Sequence, residues 1–509
     1  MRLARTWSVA LLGLEGRLVE IEADIGAGLP GTKLVGLPDP GLREAKDRVK
    51  AAVRNSGQRW PDTSVTLGLS PANLPKVGSG YDLGIAVAVL AASGSVPATK
   101  LLGTVLLGEL ALDGRVRPVR GVLPALLAAR GVGYRRAVVP LESLFEGALV
   151  DGIEVAGASR LSEVVDWLRD EHQLSPPEDD PRRSRDPGAP SAGLADLADI
   201  VGQPEARWAL EVAAAGGHHL LMTGPPGVGK TMLAERLPGL LPPLSDEEAL
   251  EVTAVHSVDG SIEPDAPLVR VPPFVSPHHS ISMAALIGGG TGLAMPGAIS
   301  KAHRGVLFLD EATEYGGDRL DSLRTVLEQG EVRIARARGV VRYPARFQLV
   351  MAANPCACAP PREVDCCCTP TARRRYASRF SGPLLDRVDL RVRMRPITAM
   401  STTLADEAES TARVKSRVLS ARDRAVARWA ARGWSTNAEV PGAVLRKEFA
   451  LPARSTALLD KGLDSGAITA RGADRCLRVA WTLADLEGAD LPCGDHVAAA
   501  LEFRDRRAA

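Results

Sequence analysis

Residues 218–241, "HHLLMTGPPGVGKTMLAERLPGLL", decide the fold. The apolar run Leu220–Met222 reads as a short buried strand, and apolar positions recur at helical spacing after Thr231. Between them stands Gly224-Pro225-Pro226-Gly227-Val228-Gly229-Lys230-Thr231, a P-loop in the strand-to-helix setting that this motif requires. The glycines let backbone amides turn toward phosphate, and the helix start adds its positive dipole end. Lys230 then reaches the terminal phosphates and Thr231 offers a hydroxyl to Mg²⁺, so ATP with Mg²⁺ is the expected ligand. In a chain with 50 glycines a bare GxG would mean only a turn, but eight specified positions between strand and helix mean more.

Three further segments fit the same chemistry. "KAHRGVLFLDEATEY", 301–315, is an apolar strand ending in Asp310-Glu311. There Asp310 suits the support of Mg²⁺ and Glu311 the polarisation of an attacking water, which predicts hydrolysis as well as binding. Taken alone, an acidic pair after a strand is also a common helix cap. "RFQLVMAANP", 346–355, is a strand ending in Asn354, whose amide can orient the water or touch the γ-phosphate. "SRFSGPLLDRVDL", 378–390, brings Arg379 and Arg387; Arg387 is the candidate finger into a neighbouring subunit's site, the alternative being a salt bridge to Asp386 or Asp389. In "GAITARGADRCLRVAWTLADLEG", 466–488, Arg471, Arg475 and Arg478 lie on a helix that can close over the nucleotide.

A chain of 509 residues is too long for one core and reads as two or three domains. The Pro-rich, charged stretch "HQLSPPEDDPRRSRDPGAPSAG" has no apolar periodicity, so 172–193 is read as a linker. It separates an α/β domain at 1–171 from a P-loop α/β core at 194–398, and a helical domain follows at 399–509. In the first domain "MRLARTWSVALLGLEG" reads as a strand, "GLREAKDRVKAAVRNSG" as a helix stopping at Gly57, "SVTLGLS" as a strand and "YDLGIAVAVLAASG" as an apolar helix. That last stretch is about half of the roughly 20 apolar residues that a bilayer demands, so no membrane span and a reducing cytoplasm are expected.

The net charge is +1, from 62 basic and 61 acidic residues, so any nucleic-acid contact must come from local patches. "VRIARARGVVRYPARF", 332–347, reads as a β-hairpin turning near Gly339, with Arg333, Arg336, Arg338 and Arg342 available to phosphates. A solvated charged face is the plain alternative, and the same holds for Arg373, Arg374 and Arg375. The Gly-rich segment 274–300 reads as an insertion that moves with the nucleotide state. Its His278 and His279 have no cysteine or carboxylate at ligand spacing, so they read as hydrogen-bonding loop residues.

Five of the seven cysteines fall between 356 and 368. Cys356, Cys358, Cys366 and Cys368 form two close pairs that suit Zn²⁺, although CxC is tighter than the usual C-x₂₋₄-C knuckle. Unpaired structural thiols and a redox sensor are the alternatives, and Cys367 is left over.

The order of the P-loop, "PHHSIS", "GAISKAHRGVLFLDE", "RFQLVMAANPC", "SGPLLDRVDL" and "ARGADRCLRVAWTLADL" resembles the AAA+ ATPases of the magnesium-chelatase-like YifB/ComM family. "GLPDPGLREAKDRVKAAVRNSG", "NLPKVGSGYDLGIAVAVLAASG" and "LLGELALDGRVRPVRGVLPALLAA" resemble its Lon-protease-like N-terminal domain, so the likeness covers nearly the whole chain. It implies a Lon-like (ribosomal S5 domain 2-like) α/β domain, an AAA+ P-loop α/β core and a C-terminal helical lid. It also implies a homo-oligomeric, hexameric ring, Arg387 as the finger acting in trans, and a lid sensor arginine matching Arg471. Paired cysteines in this loop are a family feature, which implies a structural module. For ComM-type members the resemblance implies ATP-driven DNA branch migration in the recombination of incoming DNA. A chelatase-type or other protein-remodelling motor is the alternative, with a protein partner at the Lon-like domain. Peptide hydrolysis is not expected. Ser79 stands near the place of a Lon-type nucleophile in a shortened motif, and Leu123 occupies the segment where the activating lysine would be.

Overall fold

The computed structural model describes residues 3–36, 40–177, 195–290, 294–336, 339–396 and 409–505. Alternating burial marks two long N-terminal strands, β1 (Leu3–Leu12) and β2 (Glu15–Gly26), which pair antiparallel from Leu3 opposite Asp24 to Leu12 opposite Glu15. Beyond β2 lie β3 (Gly31–Val35) and β4 (Ser64–Ser70), and beyond β1 lie β5 (Thr104–Leu106), β6 (Arg136–Pro140) and β7 (Glu154–Ala158). The sheet order is β3-β4-β2-β1-β5-β6-β7. The helix Asp82–Ala92 is apolar on every side and buried along its whole length, as a helix without a polar face must be. Its one charged residue, Asp82, is held by Arg48 at 2.7 Å. Burial still pushes that carboxyl up to about 6.

The second sheet contains β8 (Leu220–Thr223), β9 (Phe274–Val275), β10 (Val306–Leu309), β13 (Gln348–Ala353) and β14 (Leu390–Arg393). A separate hairpin, β11 (Glu331–Arg336) and β12 (Gly339–Pro344), precedes β13. The order is β9-β10-β13-β8-β14, and every pair is parallel. Each residue of β10 and β13 is buried, as in parallel strands covered on both faces. Because Thr223 lies opposite Ala353 and Leu309 opposite Met351, the chains leaving β8, β10 and β13 emerge at one edge. That edge collects Gly224, Asp310 and Asn354, which ligand sites in parallel sheets require.

Beyond residue 409 the described chain is helical, with long helices at Thr411–Trp429 and Ala470–Glu487. They share one apolar core with the helix Pro204–Gly216 and with β8, centred on Trp429 and Trp481. Phe449 sits edge-on to Trp429 at 4.6 Å. The helical third is therefore docked by burial on the nucleotide core.

The N-terminal unit also packs on the core. Glu146 is partly buried and accepts from Leu123 N at 2.8 Å and from the Ser257 hydroxyl. Burial pushes its carboxyl up. At Gly13, φ is +68° and an added Cβ would stand 2.6 Å from Val341 Cγ1, so the β1–β2 turn reaches the foot of the hairpin only as glycine.

Of the expected linker, 178–193 lies outside the described residues. Its first part belongs to the N-terminal sheet: Leu174 is buried, and Ser175 O accepts from Gly157 N at 2.8 Å. The junction at 397–408 also lies outside the described residues.

Candidate nucleotide-binding site

Gly227 and Gly229 take φ of +78° and +93°, which turns the loop between β8 and the helix Lys230–Leu240 into an open cradle. A Cβ at either position would meet no atom within 4 Å, so conformation and not crowding demands glycine. Lys230 Nζ donates to Gly224 O at 2.6 Å, Pro225 O at 2.8 Å and Asn354 Oδ1 at 3.1 Å. Burial lowers its pKa, while Asp310 and Glu311 pull the other way. Thr231 Oγ1 donates to Asp310 Oδ2 at 2.7 Å, and Asp310 Oδ1 accepts from Glu311 N at 2.9 Å. Lys230 with Asn354, and its neighbour Thr231 with Asp310, thus tie the P-loop directly to the ends of two other strands.

Glu311 has φ +46°, a left-handed conformation that costs a non-glycine residue about 1–3 kcal/mol. It turns the chain sharply after β10 and leaves the side chain 56% exposed at the sheet edge. His279 Nδ1 lies 3.5 Å from Glu311 Oε2. As sequence, His279 reads only as a loop residue, whereas His278 does bond locally, to Ser280 Oγ at 2.7 Å. The signal that finds His279 is register: Val275 pairs with Leu307 in parallel, and four residues further on each chain reaches His279 and Glu311.

Arg387 is only 9% exposed. It donates to Pro383 O at 2.5 Å and pairs with Glu328, not with Asp386 or Asp389. A cavity of about 190 Å³ brings it together with Arg471, Arg475 and Arg478, and none of residues 224–231 lines that cavity. Arg475 donates to Asp389 Oδ1 at 2.5 Å, and Arg478 to Val440 O at 2.7 Å. Arg379 meets Glu314 at 2.6 Å.

On the hairpin, Arg333 and Arg342 stand directly opposite each other, and Arg333, Arg336 and Arg342 are exposed. Like charges opposed across strands repel, and Glu331, at 2.5 Å from Arg333, offsets this in part. Arg338 lies outside the described residues. Arg373, Arg374 and Arg375 are exposed on the helix Pro370–Ala377. Cys356, Cys358, Cys366 and Cys368 offer sulfurs all within 4.8 Å of one another. In the first domain Ser79 gives its hydroxyl to Glu109, and Leu123 is fully buried. No helix among the described residues is long and apolar enough to cross a membrane.

Residues 196–402 match the family described as magnesium chelatase, subunit ChlI, residues 21–143 match subunit ChlI of Mg-chelatase, and residues 408–504 match the ChlI C-terminal family. An uncharacterized protein of Mycobacterium tuberculosis is 56% identical over 504 residues, covering 99% of each chain. The uncharacterized protein YifB of Salmonella typhimurium is 41% identical over 507 residues, covering 99% of this chain and 97% of its own. Competence protein ComM of Haemophilus influenzae is 39% identical over 506 residues, covering 99% and 98%. The magnesium-chelatase 38 kDa subunit of Rhodobacter capsulatus is 30% identical over 186 residues, only 33% of this chain. With a P-loop, an acidic strand end and this likeness along almost its full length, the chain belongs to the YifB/ComM magnesium-chelatase-like family of AAA+-type ATPases.

Proposed function

We propose that this chain is an ATP-hydrolysing ring motor that acts on DNA. The observation that carries the reading is the two hydrogen-bonded pairs Lys230–Asn354 and Thr231–Asp310 at the open edge of a parallel sheet, with Glu311 beside them. Bound MgATP supplies the transferable phosphoryl group and neutralises charge on its oxygens. The Thr231 hydroxyl and Asp310 carboxylate are hard oxygen donors already 2.7 Å apart, and they fit Mg²⁺. Lys230 exchanges its loop carbonyls for phosphate oxygens. Glu311 takes the proton of the attacking water, Asn354 orients that water, and His279 positions Glu311.

Arg387 lines a cavity that no P-loop residue lines, which supports its action on a neighbouring subunit's nucleotide in a hexameric ring, with Arg471 beside it as the lid's sensor arginine. Lys230→Ala subunits mixed with Arg387→Ala subunits are expected to regain activity that neither has alone. No recovery in assembled mixed rings removes the trans role.

The opposed Arg333 and Arg342, with Arg336 near the tip, support contact with DNA phosphates, since an anion relieves their repulsion. The competence name carried by the Haemophilus relative fits such a substrate. Branched or single-stranded DNA is expected to stimulate the ATPase, with binding that weakens steeply as salt rises. Arg342→Ala should lower the salt slope by about one. If DNA changes neither rate nor binding at any salt, the protein-remodelling alternative takes its place, with the N-terminal domain as the partner surface. That domain is read as Lon-like and non-proteolytic, because Ser79 is engaged by Glu109 and Leu123 provides no base. Unbridged thiols at all seven cysteines suit a cytoplasmic location.

A further inference from the structure

The chain between Asn354 and the helix Pro370–Ala377 makes a tight loop whose core is sulfur. Cys356, Cys358 and Cys366 are mutually 3.4 Å apart, and Cys368 completes a group within 4.8 Å. A tetrahedral Zn²⁺ with Zn–S of about 2.3 Å places its four sulfurs about 3.8 Å apart; the three sulfurs at 3.4 Å need only a slight expansion to fit, and Cys368 stands within reach of the fourth place. The 3.4 Å separations are far from a disulfide bond of about 2.05 Å. Four close thiolates repel unless a cation joins them, whereas four thiols make only weak hydrogen bonds. Cys367, between two members of the group, is exposed and stands outside it. The loop joining the two pairs is closed by Arg362 on Asp365 at 2.8 Å.

The helix beyond the last cysteine links the group to the nucleotide site. Thr369 caps the helix Pro370–Ala377, accepting from Ala372 N at 3.2 Å. From the other end of that helix Tyr376 OH accepts from Thr313 Oγ1 at 2.6 Å. Arg379 reaches Glu314 at 2.6 Å, and Glu314 N donates to Glu311 O at 2.7 Å. The turn that carries Glu311 is therefore braced from outside by a segment that starts at the cysteine group. We propose that Cys356, Cys358, Cys366 and Cys368 bind one structural Zn²⁺, and that the metal fixes the segment bracing the Asp310–Glu311 turn. The site stands on its own sulfur geometry; the bracing role rests on the catalytic part proposed for Glu311.

The test uses the full chain without nucleotide. Elemental analysis of purified protein should find about one Zn²⁺ per chain, falling below about 0.1 in Cys358→Ser and Cys366→Ser. Cys367→Ser should keep the metal. Because the first two variants can also fail to fold, wild-type protein reloaded with Co²⁺ provides a second measurement. It should give the intense visible absorption of tetrahedral cobalt bound by thiolates. A wild-type chain that neither carries Zn²⁺ nor binds added Zn²⁺ or Co²⁺ overturns the site, as does a Cys358→Ser, Cys366→Ser double variant that keeps its metal. Removing the metal with a chelator should speed amide exchange across 312–315 and 370–377. Bound metal whose removal leaves that exchange unchanged overturns the bracing role alone. Glu311→Gln should leave the Zn²⁺ content as it was, so failure of the ATPase reading cannot be mistaken for failure of the site.

Discussion

Glu311→Gln is expected to bind ATP and to lose about 10²–10⁴-fold in turnover, the usual contribution of a positioned general base. The substitution keeps the shape and length of the side chain, so the left-handed turn at 311 and the Asp310 contacts with Thr231 and Glu311 N should persist. Only the capacity to take a proton is removed. Nucleotide affinity read by a fluorescent analogue, beside kcat for phosphate release, separates the two. Retained turnover sinks the assignment of Glu311. Lost binding would instead show that the carboxylate holds the loop together.

The second large effect concerns the docking of the helical third. Asp389 is 2% exposed, and its carboxylate meets Arg475 at 2.5 Å, His219 N at 3.1 Å and His218 Nδ1 at 3.6 Å. His218 Nε2 in turn lies 2.8 Å from Thr482 Oγ1, on the same helix as Arg475. Asp389→Ala strands a largely buried guanidinium, the His219 backbone N–H and the buried His218 ring, and is expected to destabilise by about 3–5 kcal/mol. A chain of this size does not unfold in one step, so the measurement is amide exchange in the helix Ala470–Glu487, compared with the N-terminal sheet. Equal protection of that helix in the variant would show that the apolar core around Trp429 and Trp481 docks it alone.

The same network makes docking sensitive to acid. Burial holds His219 neutral, moving it from the usual 6.5 to about 4, and its Nδ1 accepts from Leu349 N at 3.0 Å. As pH falls the unfolded chain takes up this proton first. The stability contributed by the neutral ring is complete above pH 6.5 and lost by about 4. Burial pushes Asp389 up, but the Arg475 guanidinium and the neighbouring His218 ring outweigh it, and its carboxyl ends well below the usual range. Its contribution survives to lower pH and is lost only beneath the ordinary carboxylate range, near 3.9.

Much of the molecule was legible in its sequence. The P-loop, the acidic strand end and the strand before Asn354 are local patterns, and each local pattern formed the expected element. The helix at 40–55 and the buried helix at 82–92 were legible for the same reason, since periodicity and burial are properties of neighbouring residues. The cysteine pairs were visible as spacing that suits Zn²⁺, and the fold brings their four sulfurs together as that reading requires.

What the sequence determined by itself is the P-loop and the acidic strand end, because these signatures are written in contiguous residues whose types and spacing are tied to phosphate and Mg²⁺. Only the tertiary structure decided which distant groups stand together. His279 reaches Glu311 because β9 lies in parallel register with β10; Arg387 turns to Glu328 and joins Arg471. Asp389 finds Arg475 across 86 residues of chain. Such pairs depend on strand order and helix docking, which are fixed by burial summed over the whole core and leave no trace in the spacing of the residues they bring together.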